Sequence, residues 1–403
     1  MFRRGAKVKY DIINCCIWQC ERVAGLKKEI YVWLIRIISW LAHFKTSNHV
    51  IYLMSFADNL DFIRQLNKRV DNRLTVYYLP SAQSGAVKLA RDGIATKAFH
   101  DSLGFIFTGI PVLTRAADLY VDNYYAFTAG VYRHRHQRVI QLWHAGGAVK
   151  AFGWGDPQTS ERSASDQRRF QAVYNHITDF VVGSDKMGQV FADSYHVPVS
   201  RMQPLGYPRS DRYRQTGWIA ATRTAIYEQH PELKGCELIL YAPTYRAGVQ
   251  FDLPADFKAL QLAPNQRLII KLHPHLAQQA AAIAAQYPDL ITAVPEFSTD
   301  ELLTVTNTLI SDYSSVIFDY ALLPNCQKMV FYVFDWQSFN QAVGLQADFK
   351  VWAPGPMVTT MAALNAELAK PVAAPRIVAF NQLWNTYNDG HATERTLAYF
   401  YPK

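Results

Sequence analysis

The sequence predicts an α/β protein built from two doubly wound, parallel-sheet domains with a cleft between them, preceded by an amphipathic helical segment. Three observations carry that prediction. Apolar, β-branched runs of four to seven residues alternate with helical stretches from residue 46 onward. A loop-like and then polar helical interval, from about Leu205 to residue 234, divides the runs into two series. The 403 residues are 50% hydrophobic and only 18% charged, enough to fill two cores and too apolar for a disordered chain.

Residues 1–45 stand apart. Arg3, Arg4, Lys7, Lys9, Lys27, Lys28 and Lys45 flank the apolar run Ile30–Phe44, with Arg36 in its middle. A bilayer span takes roughly 20 apolar residues, which this run does not supply. No small-residue cleavage site follows it, so a signal peptide does not fit either. Two placements remain: a helix lying in the membrane interface, with Trp33 and Trp40 at headgroup level and the basic residues on anionic lipid, or a helix packed on the following domain. In both, the rest of the chain stays in the cytoplasm. The five cysteines form no C-x-x-C pair and suit free thiols in a reducing compartment.

The first domain, residues 46–215, has expected strands at His49–Ser55, Leu74–Leu79, Leu119–Tyr125, Val139–Trp143 and Asp179–Gly183. The second, residues 235–370, has them at Glu237–Tyr241, Arg267–Leu272, Leu290–Val294, Thr308–Ser311 and Lys328–Val333. Residues 371–403 read as terminal helices, and no internal sequence repeat is evident.

Open α/β sheets bind ligands beyond the carboxyl ends of their strands. His144 follows the Val139–Trp143 run and precedes the turn Ala145-Gly146-Gly147 with Lys150 nearby, a suitable place for a general base. Thr244 and Arg246 follow Glu237–Tyr241, where a planar guanidinium can fork onto phosphate oxygens. His273 follows the next run, with Pro274 ending the strand. Asp312, Tyr313, Ser314 and Ser315 form a turn between a strand and a helix. Two readings fit that turn: an anion site at a helix N-terminus, or a plain serine cap. No phosphate-binding G-x-x-x-x-G-K-[ST], dinucleotide G-x-G-x-x-G, hydrolase G-x-S-x-G or metal-binding Asp-x-Asp is present. The net charge of +8 suits an anionic partner, but no nucleic-acid-binding motif accompanies it.

Several of these segments, in order, resemble the CDP-glycerol glycerophosphotransferases of teichoic acid biosynthesis in Gram-positive bacteria. They are Gln141–Gly146, Tyr241–Arg246, Lys271–Pro274, Ser311–Tyr320, Phe331–Asp335 and Gly344 with Pro354–Pro356. The resemblance covers roughly residues 46–370. It implies a GT-B-like fold with the nucleotide on the C-terminal domain. The implied reaction moves glycerol phosphate from CDP-glycerol to a hydroxyl of a polyprenyl-diphosphate-linked saccharide, with release of CMP; without an Asp-x-Asp pair no metal is indicated, and no cofactor is expected. By position it makes His144 and His273 the catalytic histidines. Thr244, Arg246, Ser314 and Ser315, with Asp312 of the same turn, become donor-phosphate residues. Gly146, Gly147 and Lys150 form an acceptor-side loop, where the sequence departs from the family's usual Gly-Thr-Pro. The implied location is peripheral, at the cytoplasmic face of the membrane. The length is closer to the family's primases than to its longer polymerases. A CDP-ribitol donor, or a nucleotide sugar on the same fold, remains an alternative.

Overall fold

The computed structural model describes residues 21–244, 253–254, 256–272, 277–371 and 375–402. The chain divides into two compact units. The N-terminal unit takes the described residues up to His144, then Phe152–Asp211 and the tail from Thr386. The C-terminal unit takes Ala145–Ala151 and Arg212–Asn385.

The N-terminal unit holds a seven-stranded parallel sheet of order β3-β2-β1-β4-β5-β6-β7. Its strands are β1 Val50–Met54, β2 Leu74–Tyr78, β3 Ala95–Ala98, β4 Asp118–Val121, β5 Arg138–Gln141, β6 Asp179–Val181 and β7 Met202–Gln203. Every residue of β1 and β4 is buried, as expected of central strands covered on both faces. On one side lies a core of Tyr52, Phe62, Leu66, Leu89 and Tyr120. Leu397 and Phe400 of the last helix, Ala392–Phe400, join that core. Asp211 accepts hydrogen bonds from the Ala392 and Thr393 amides at that helix's start (2.9 and 2.8 Å). At its end, Arg138 donates to the Phe400 carbonyl (2.7 Å) and the Tyr401 hydroxyl donates to Asp118 (2.7 Å). The tail is therefore not one appended block: helix Pro375–Trp384 groups with the C-terminal unit, and Ala392–Phe400 with the N-terminal one.

The C-terminal unit holds a five-stranded parallel sheet of order β12-β11-β10-β8-β9. Its strands are β8 Glu237–Tyr241, β9 Gln266–Ile270, β10 Thr308–Ser311, β11 Lys328–Tyr332 and β12 Met357–Val358. The strand expected at Leu290–Val294 is absent; Ile291 alone bridges Leu268 at the sheet edge, in a segment bracketed by Pro288 and Pro295. Strands β3, β7 and β12 are edge or two-residue strands without an apolar run, held by backbone pairing to a formed neighbour.

The first described helix, Glu21–Ala42, is a single 22-residue helix. One face is buried in the N-terminal unit through Val32, Ile35, Ser39 and Ala42. The Ser39 hydroxyl meets that of Thr114 (2.7 Å) and accepts from the Tyr132 amide (2.7 Å). Lys28 pairs with Asp166 (3.4 Å), and Glu29 pairs with Arg169. The opposite face presents Ile30, Trp33, Trp40, Leu41 and, just beyond the helix, Phe44; Trp33 is 58% and Phe44 69% exposed. Of the two placements open to this segment, the helix takes the packed one while keeping a long apolar stripe in solvent. Among the described residues no helix is long and apolar enough to cross a membrane.

Candidate active site

Each unit carries part of the predicted site at the carboxyl edge of its own sheet. In the N-terminal unit, β5 ends at Gln141, and Trp143 turns left-handed (φ 60°) immediately before His144. A bulky residue there costs of order 1–3 kcal/mol, strain of the kind found at functional sites. The His144 ring stacks on Phe56 (centroids 4.7 Å) and lies against Trp143 (4.3 Å). Its Nδ1 is 3.1 Å from the carbonyl oxygen of Asp122. A carbonyl only accepts, so Nδ1 carries the hydrogen and the Nε2 lone pair is left for a substrate proton. Burial, and then the charge of Arg209, push the His144 imidazole down to about 4, so it is neutral at physiological pH.

Asp122, which follows β4, holds this arrangement from below. Its carboxylate accepts from the Ser55 amide (2.8 Å) and hydroxyl (2.7 Å), the Phe56 amide (3.0 Å) and the Tyr125 hydroxyl (2.9 Å). Burial lifts its carboxyl to about 6 in spite of those donors. Sequence reasoning missed Asp122, Ser55, Phe56 and Arg209. Asp122 was absorbed into an expected strand, Leu119–Tyr125, and Arg209 into a loop. An acid interrupting an apolar aromatic run at a strand end was the available signal.

In the C-terminal unit, β8, β9 and β10 are neighbours, so the residues following them share one sheet edge. Thr244, 4% exposed, donates its hydroxyl to Asp312 Oδ1 (2.6 Å), which also accepts from the Thr244 amide (2.8 Å) and the Tyr313 amide (2.6 Å). Asp312 is 1% exposed, and through these bonds its carboxylate braces the Thr244 loop. Ser314 and Ser315 are half-buried, and Ser315 makes no side-chain capping bond. The helix they precede, Val316–Tyr320, is five residues long, so its dipole is small and the serine hydroxyls and turn amides are the main donors there. Lys271 at the end of β9 donates to the Val294 and Pro295 carbonyls (3.3 and 3.1 Å). Arg246 and His273 lie outside the described residues.

Gly146, Gly147 and Lys150 group with the C-terminal unit, not with the N-terminal strand that precedes them. The glycines make this possible. A Cβ on Gly146 would sit 2.6 Å from Phe318 Cβ, and one on Gly147 2.4 Å from the Phe318 ring. Beyond them Lys150 bridges Leu345, and Gln346 donates to the Val149 carbonyl (2.9 Å). The Lys150 ammonium lies 5.8 Å from the centre of the Phe339 ring, on which Tyr313 stacks at 4.0 Å. The expected acceptor-side loop is thus attached to the unit that carries the Ser314–Ser315 turn. The chain leaves the N-terminal unit directly after His144.

Comparison with known proteins gives a consistent result. The family model described as CDP-glycerol:poly(glycerophosphate) glycerophosphotransferase matches residues 41–400. A teichoic acid glycerol-phosphate primase of Bacillus subtilis is 25% identical over 383 residues, covering 93% of this chain and 98% of its own length. A teichoic acid ribitol-phosphate primase of Bacillus spizizenii is 28% identical over 299 residues, covering 72% and 76%. Among solved structures, the wall teichoic acid polymerase TagF superposes with a TM-score of 0.70 at 16% identity, over 94% of this chain and 98% of that one, a likeness of fold. The parallel-sheet architecture is accordingly GT-B-like, as the sequence resemblance implied. On the extent of the family match, this chain belongs to the CDP-glycerol:poly(glycerophosphate) glycerophosphotransferase family and is a transferase of the teichoic acid primase and polymerase group.

Proposed function

We propose that the protein transfers glycerol phosphate from CDP-glycerol to a hydroxyl of a polyprenyl-diphosphate-linked saccharide and releases CMP. The observation that carries this reading is the bond between His144 Nδ1 and the Asp122 carbonyl, which leaves a neutral Nε2 ready to accept a proton. In the proposed reaction Nε2 takes the proton of the acceptor hydroxyl. The acceptor oxygen attacks the phosphorus that bears glycerol, the bond from that phosphorus to the oxygen of CMP breaks, and CMP leaves with the bonding pair. A neutral imidazole of low basicity gains proton affinity as anionic phosphate comes close, which matches its protonation to the moment of attack.

The donor diphosphate is assigned to the C-terminal unit. Ser314 and Ser315 would supply hydroxyls and the turn that carries them backbone amides, with Thr244 fixing the adjoining loop. Arg246 and His273, which follow β8 and β9 in the chain, would complete the set as cation and second histidine. Lys150, held on the same unit, is reassigned from the acceptor to the donor. The stripe of Ile30, Trp33, Trp40, Leu41 and Phe44, with Arg36 and Lys45 beside it, supports peripheral attachment to an anionic membrane, where the lipid-linked acceptor resides.

The test is release of CMP or UDP from CDP-glycerol, CDP-ribitol and UDP-sugars in the presence of a lipid-linked disaccharide. The reading expects CMP from CDP-glycerol in preference to the others. Preference for CDP-ribitol would move the chain toward its ribitol-phosphate relative, and UDP release would replace the reading with glycosyl transfer. Product length on the same acceptor separates addition of one unit from addition of many.

A further inference from the structure

Among the described residues of the N-terminal unit, Arg162 keeps a half-buried guanidinium with neither an acid nor a carbonyl to match it. Arg162 lies in the short link between helices Pro157–Ser160 and Ala164–His176. Its guanidinium carbon is 4.5 Å from the centre of the Phe170 ring, and its buried Nε has no hydrogen-bond partner. Among the described residues the Arg162 side chain forms no hydrogen bond or ion pair; only its backbone amide bonds, to the Thr159 carbonyl (3.3 Å). The nearby acid Asp166 is engaged by Arg169 and Lys28, and the Asp156 carboxylate caps the Gln158 amide. A half-buried guanidinium normally finds an acceptor, a carboxylate or a carbonyl, because an unmatched buried charge is costly. This one instead lies on an aromatic floor: Phe170 is 5.5 Å from Tyr124, which is 5.9 Å from Tyr174.

The position of that floor gives it meaning. Tyr124 is two residues from Asp122, whose carbonyl orients His144. Helix Ala164–His176 carries Phe170 together with Asp166 and Arg169, which hold Lys28 and Glu29 of the apolar-striped helix. Contacts thus run from the striped helix through Ala164–His176 and Phe170 to Tyr124, and Arg162 rests on Phe170 along that path, which a lipid-linked acceptor reaching His144 from the stripe would follow with its charged linkage. A planar guanidinium forks onto phosphate oxygens, and aromatic faces accept the apolar face of a sugar ring.

We propose that Arg162 binds the diphosphate that joins the acceptor saccharide to its lipid, with Phe170 and Tyr124 as the floor for the adjoining sugar. The proposal rests on the acceptor reading given above, and not on the identity of the donor.

The test measures binding without any donor. The ligands are a water-soluble, short-chain saccharide diphosphate lipid and the same saccharide on an uncharged alkyl chain. For Arg162→Gln, affinity for the diphosphate ligand should fall about 10- to 100-fold, with a smaller fall for Arg162→Lys. Binding of the uncharged analogue and of CDP-glycerol, and co-sedimentation with vesicles of phosphatidylglycerol and phosphatidylcholine, should each stay within about twofold of the parent. Unchanged affinity for the diphosphate ligand would overturn the proposal. So would equal losses on both saccharide ligands, which would mark a structural role, or a selective loss of vesicle binding, which would assign Arg162 to phospholipid headgroups. Because no turnover is read, failure of CMP release from CDP-glycerol leaves this result interpretable on its own.

Discussion

Asp122 and Asp312 hold the same place in their two sheets. Asp122 follows β4 and accepts the amide and hydroxyl of Ser55, which follows the neighbouring β1. Asp312 follows β10 and accepts the amide and hydroxyl of Thr244, in the loop after the neighbouring β8. In each unit a buried acid at the central strands' carboxyl edge ties down the loop beside it. The two clamps serve different halves of the proposed chemistry: Asp122 supports the His144 base, and Asp312 supports the donor loop.

Separate kinetic signatures follow from that division. Asp122→Ala leaves the Ser55 amide and hydroxyl and the Phe56 amide without their acceptor, loosening the Phe56 ring that stacks on His144. Turnover should fall about 10- to 100-fold while CDP-glycerol affinity changes little, the mark of lost positioning. Asp312→Ala should do the reverse and weaken CDP-glycerol binding about tenfold or more. Titration calorimetry with CDP-glycerol beside steady-state rates distinguishes them; the same pattern from both variants would remove the division of labour.

Acid should destabilise the N-terminal unit through His176. This buried residue is held down to about 4 by burial and by the charge of Arg133. The unfolded chain takes up a proton as pH falls through about 6.5, whereas the folded chain does so only near 4. Stability from the neutral ring is therefore complete above pH 6.5 and is lost progressively toward pH 4, by about 3 kcal/mol in all. His144 adds a loss of the same sign, and Asp122, raised to about 6, returns part of it because its folded form protonates first. For His176→Leu, the fall in unfolding free energy between pH 7 and 4.5 should be about 2–3 kcal/mol smaller than in the parent. Denaturant titrations at the two pH values measure this, and parallel pH dependence in both proteins would show that His176 is not the acid-sensitive group.

The exposed stripe should govern attachment and not folding. Trp33→Ser and Trp40→Ser remove apolar surface that already faces solvent, so thermal stability should hold. Each should reduce co-sedimentation with anionic vesicles about tenfold or more, with activity on a water-soluble acceptor retained. Ile35→Asp, on the buried face of the same helix, should instead unfold or aggregate the protein. Vesicle binding unaffected by the tryptophan changes would remove the membrane role of the stripe.

How far these features could be read in the sequence depended on what holds each one. Central strands such as β8 and β10 were legible to the residue, because burial on both faces demands continuous apolar runs. Edge strands such as Ala95–Ala98 were not, since pairing and not side-chain content holds them. His144 was legible from its place after a strand, whereas Asp122 meets it through a backbone carbonyl, so the acid at a strand end marked the position but not its pairing with His144. The return of the Ala145–Ala151 segment to the C-terminal unit depends on the fit of two glycines against Phe318, a long-range contact that local pattern does not encode.

The central claim is that His144 Nε2 removes the acceptor proton. The direct measurement is CMP release by His144→Ala with CDP-glycerol and lipid-linked acceptor, set beside the CDP-glycerol dissociation constant of the same variant. The account predicts turnover reduced about 10²- to 10⁴-fold with donor affinity within a few-fold of the parent. Near-normal turnover in His144→Ala would contradict it.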